Sequence, residues 1–75
     1  MPARSDVLKS YGLPDAPTFA FEAQRDTAQT MRVRVKHRGG TVSVSTGHLS
    51  SLAHQLAPID PGLSQQIQSF LKSFE

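Results

Sequence analysis

Residues 31–46 read MRVRVKHRGGTVSVST, a stretch in which residue types recur at a fixed spacing. Arg32, Arg34, Lys36 and Arg38 stand at every second position, and beyond Gly39-Gly40 so do Thr41, Ser43 and Ser45. On an extended strand a period of two puts each set on one face. With a rise of roughly 3.3 Å per residue, neighbouring cations lie about 6.5 Å apart. That is close to the phosphate spacing of an extended nucleic acid strand, and to the spacing of acidic side chains along a partner strand. Short hydroxyls beside such a row can donate hydrogen bonds to phosphate. The chemistry this pattern supports is polyanion binding, with nucleic acid backbone as the leading partner. Neutralising about four phosphates would give a salt slope near −3 to −4. No aromatic residue falls on the expected open face, so base stacking is missing and weak sequence preference is expected. The competing reading is a solvated face, since alternating charges keep strands soluble and blunt their edges.

The charge distribution favours a face over a general bias. Residues 25–38 hold Arg25, Arg32, Arg34, Lys36 and Arg38 against Asp26 alone, a net of +4, while the remainder carries −2. Glu22 is the one acid expected on the open face, where it can neutralise a cation. The candidate polyanion-binding set is therefore Arg25, Arg32, Arg34, Lys36, Arg38, Ser43 and Ser45.

Other chemistry has little to stand on. His48 and His54 are six apart on an expected helix and point to different sides, and His37 falls on the apolar side of its strand. With no cysteine in the chain, thiolate sites and disulfides are excluded, and no metal site is expected. Serines are plentiful, but no Gly-x-Ser-x-Gly elbow occurs. The acids Asp6, Asp15, Glu22, Asp26, Asp60 and Glu75 are scattered over caps, turns and ends. A chain of 75 residues rarely encloses a pocket of several hundred Å³. Neither an enzyme nor a cofactor is expected.

The elements that display the row follow from local signals. Ser5 to Gly12 suits a short helix, with Ser5 as cap and Gly12 as stop. Pro14 and Pro17 stiffen the connector that follows. Phe19, Phe21 and Ala23 share one parity over residues 18–24, a strand pattern; residues 25–30 read as a turn. Met31, Val33 and Val35 alternate with the cations. Gly39-Gly40 suits a two-residue hairpin turn, which sets Arg38 opposite Thr41, Lys36 opposite Ser43, Val35 opposite Val44 and Arg34 opposite Ser45. Leu49, Leu52, Ala53 and Leu56 form a helical stripe, capped at Thr46 or Gly47 and ended by Pro58. Asp60 and Pro61 open a last helix as N-cap and first residue. Its stripe of Leu63, Ile67, Phe70, Leu71 and Phe74 packs on the sheet or serves as an oligomer or partner face.

The predicted fold is α+β. A short N-terminal helix precedes a three-stranded antiparallel meander, and two C-terminal helices pack on one face of that sheet. This is a two-layer sandwich in a single domain over residues 1–75, with residues 1–4 loose. Small domains are marginally stable, so a homodimer is a candidate state. The N-terminus lacks the apolar core of a signal peptide, and no run is long enough to cross a membrane. With no cysteine, a cytoplasmic location is expected.

The order of helix, three strands and helix resembles the double-stranded-RNA-binding fold and the small toxin domains built on it. The likeness is topological, because no basic cluster opens the helix after the sheet, where that fold meets phosphate. Size and composition also resemble those of small phage and plasmid proteins that bind and block host machinery. The alternative function is accordingly a protein-interaction or inhibitor module.

Overall fold

The computed structural model describes residues 2–25 and 31–73. Of the turn expected at 25–30, Arg25 belongs instead to a strand, and residues 26–30, Phe74 and the side chains of Arg25 and Met31 lie outside the described residues. The element order is α1 (Arg4–Ser10), β1 (Ala20–Arg25), β2 (Met31–His37), β3 (Gly40–Ser45), α2 (Thr46–Leu56) and α3 (Pro61–Lys72). The three strands form one antiparallel sheet in the order β1-β2-β3, and the helices cover one of its faces. The predicted α+β layout is thus the observed one.

The central strand β2 sets the two faces apart. Val33 and Val35 are 0% exposed, whereas Arg34 and Lys36 between and beyond them face solvent. Leu49, Leu52, Ala53 and Leu56 of α2 are all buried, as the helical stripe requires. From α3, Leu63 and Ile67 enter the same core, and Phe70 lies against Phe21 of β1 with ring centroids 5.7 Å apart. Each such side chain contributes roughly 1.5–3 kcal/mol when fully buried. Leu63 and Ile67 of the candidate partner stripe are therefore consumed by the protein's own core, and Phe70 and Leu71 pack partly against it.

Polar groups close the seams between layers. The hydroxyl of buried Ser64 donates to the Ala53 carbonyl at 2.7 Å and accepts from Gln68 Nε2, joining α3 to α2. Asp60 caps α3 as predicted, its carboxylate accepting from the Leu63 N–H at 3.2 Å. Gly12 ends α1 at φ 75°, with the Leu13 N–H bonded to Leu8 C=O and the Gly12 N–H to Lys9 C=O. That closure uses the positive φ glycine permits.

Two caps and one turn differ from expectation. Ala3, not Ser5, holds the N-cap position of α1, so the helix starts two residues earlier than a Ser5 cap would place it. Ser45, not Thr46 or Gly47, caps α2 by accepting from the His48 N–H at 3.2 Å. The β2–β3 turn is Arg38-Gly39, and Gly40 is already the first residue of β3, paired with His37. The register is shifted by two residues from the predicted one: Arg34 opposes Ser43 and Val33 opposes Val44. A shift of two keeps every side chain on its face, so period alone does not forbid it. The observed register is the one that sets both core valines of β2 against both valines of β3. Gly40 takes φ 148°, a value that favours glycine, and the Gly39 N–H donates to His37 Nδ1 at 3.0 Å.

Candidate nucleic-acid interface

The open face of the sheet is a grid of nine positions set by the two registers. Its rungs are Ala20–Lys36–Thr41, Glu22–Arg34–Ser43 and Gln24–Arg32–Ser45. Arg32, Arg34 and Lys36 therefore run down the middle strand, with hydroxyls along β3 on one side. Arg38 is not the fourth member of this file, because it sits in the turn, where it is exposed. Arg25 is the last residue of β1 and pairs with Met31.

The cations are not equivalent. Glu22 is the hub of the upper part of the grid. Its Oε2 accepts from Lys36 Nζ at 2.9 Å, and its Oε1 lies 3.8 Å from Arg34 Nη1. The Lys36 hydrogen bond, followed by the Lys36 and Arg34 charges, holds the Glu22 carboxyl below the usual carboxylate range. All three side chains are about half exposed, so water and salt screen these pairs and they add little to stability. They do set the charge of the face. Three cations against one carboxylate leave a local net of +2.

Arg32 is fixed differently. Its Nε donates to Ser43 Oγ at 3.0 Å and its Nη2 to the Ser43 carbonyl at 3.1 Å. The Ser43 hydroxyl donates in turn to Gln24 Oε1 at 3.3 Å, across the central strand. Ser43 was expected as a phosphate donor; here its hydroxyl is committed within the grid, and it orients Arg32 instead. Ser45 is shared in the same way, since its hydroxyl oxygen caps α2. Thr41 is exposed beside Lys36.

A second charged cluster joins α1, the connector after it and the start of α3. Arg4 Nη1 meets Asp15 Oδ1 at 2.6 Å, its Nε meets Asp60 Oδ2 at 3.0 Å, and its Nη2 donates to the Ala16 carbonyl at 2.8 Å. One guanidinium thus ties α1 to the proline-rich connector and to the cap of α3. The Leu63 N–H and then Arg4 hold the Asp60 carboxyl below its ordinary value. Arg4 is not part of the loose N-terminal run that the sequence suggests, and no local signal in the sequence marks this role. Its partners are 11, 12 and 56 positions away.

The histidines occupy separate places. His37 packs edge-on to Phe19, His48 packs edge-on to Tyr11 with centroids 4.6 Å apart, and His54 is exposed on α2. Among the described residues no helix is long and apolar enough to cross a membrane. No protein-family model matches the chain, and comparison with curated proteins and with solved structures finds no similar chain.

Proposed function

We propose that this protein is a non-enzymatic binding module whose open sheet face holds a polyanion, with nucleic acid backbone as the leading ligand. The observation that carries the reading is the file Arg32, Arg34, Lys36 on the central strand, uncovered by the helices and flanked by Thr41 and Ser43. The faces of β2 divide the work: its valines anchor the core while its cations stand at regular spacing over solvent. The nine grid positions hold no aromatic residue, which supports backbone contacts over base readout.

With Arg38 in the turn and Glu22 among the cations, the footprint is smaller than the sequence pattern implies. About three phosphates would be neutralised, for a salt slope near −2 to −3. A titration of labelled single- and double-stranded DNA and RNA across a salt series tests this. A slope near zero, or no binding at low salt, overturns the reading.

A protein-interaction or inhibitor module is the second reading, and one feature favours it. The outer side of β3 is an open strand edge bordered by a groove of about 320 Å³ that Tyr11, Arg32 and His48 help to line.

A further inference from the structure

The two edges of the sheet are built differently. On β1, exposed Glu22 supplies charge, and Gln66 Nε2 donates to the Phe19 carbonyl just before the strand begins. Such devices discourage edge pairing. β3 reads Gly-Thr-Val-Ser-Val-Ser and carries no charge and no proline. Among the described residues no strand pairs with its outer side. Along an antiparallel pair every second residue turns its N–H and C=O outward. The Ser43 carbonyl, which accepts from Arg32 Nη2, places Ser43 in that set together with Thr41 and Ser45.

We propose that the occupant of this edge is the β3 strand of a second copy of the chain, antiparallel about a two-fold axis at Ser43. The pattern an incoming strand must carry is small and neutral on the open face and apolar on the helix side. β3 itself carries it. Centring the axis on Ser43 sets Thr41 against the partner's Ser45 and Val42 against the partner's Val44, so outward residues meet outward residues and valine meets valine. Half-buried Val42 gains cover.

Charge permits the arrangement. The sheet would run through six strands, with the two β2 strands separated by three strand spacings, about 14 Å. That exceeds the Debye length of about 8 Å at physiological ionic strength. Arg32 is the exception: its hydrogen bonds to Ser43 hold its guanidinium beside the axis. It must release the Ser43 carbonyl for pairing, and the two guanidiniums repel. Association should therefore weaken at low salt, opposite in sign to polyanion binding, which keeps the two readings separable.

Sedimentation velocity on the full chain, without nucleic acid and at physiological salt, tests the proposal over a wide concentration range. The expected result is a reversible monomer–dimer equilibrium. Ser43→Pro removes an outward N–H at the axis and should raise the dissociation constant about tenfold or more. Ser43→Lys, which opposes two like charges across the axis, serves if the proline variant fails to fold by circular dichroism. Arg32→Gln should tighten the dimer. A monomer at every concentration, or a dimer that the folded Ser43 variant leaves unchanged, overturns the proposal. So does a dimer that Arg32→Gln weakens.

Discussion

Glu22 decides how much of the cationic file is available to a ligand. It engages Lys36 directly and Arg34 at longer range, so Glu22→Gln should raise affinity for a polyanion several-fold without loss of fold. The pH dependence has a definite sign. The folded carboxyl is held below its usual value, so the pairing is complete above the ordinary carboxylate range and is lost as pH falls through the lowered value. Polyanion affinity should rise in that acid window while circular dichroism reports a folded chain, and Glu22→Gln should abolish the rise. Asp60 gives a stability counterpart. Its cap and its Arg4 contact act on the charged form, so its contribution is present above the ordinary aspartate range and lost on acidification. Asp60→Ala should lower stability by about 1–2 kcal/mol in urea melts. Glu22 was legible in the sequence as the acid on the open face. Arg4 was not, since its role depends on which distant segments the fold brings together.

At the scale of elements, the faces of the strands were readable and their register was not. Alternation of valine with arginine fixes parity, because a slip of one residue would bury the cations. A slip of two costs nothing by that rule. The choice fell to the matching of Val33 with Val44 and Val35 with Val42, together with details of the turn and cap: the left-handed Gly40, the His37 ring accepting from Gly39, and the use of Ser45 as a helix cap. The coupling of Arg32 to Ser43 follows from that register, so it was hidden as well. Gly40→Ala tests the turn. A Cβ at Gly40 meets nothing within 4 Å, so any cost is backbone strain at φ 148°. The expected loss is about 1 kcal/mol or more, read from thermal or urea unfolding. Gly39→Ala should be nearly neutral, since its Cβ would meet only the His37 ring at 3.5 Å. The helices were easier to read, because Asp60-Pro61, Gly12 and the leucine stripe are local signals that do not wait on tertiary contacts.

For the molecule as a whole, the two sides of one strand carry two tasks. Val33 and Val35 hold the sheet to α2 in the core that Leu63 and Ile67 of α3 also enter, and Arg34 and Lys36 stand on the other side of the strand. Changes on the open face should then move binding while leaving stability nearly untouched. The most direct test compares Arg34→Glu with Glu22→Gln in one binding titration against labelled duplex and single-stranded RNA and DNA at low salt. Arg34 sits at the centre of the grid, about half exposed, with no core contact to lose. Arg34→Glu should abolish binding and Glu22→Gln strengthen it, with unfolding curves of both variants close to that of the parent protein. Equal affinity across all three proteins, or no binding by any of them, would contradict this.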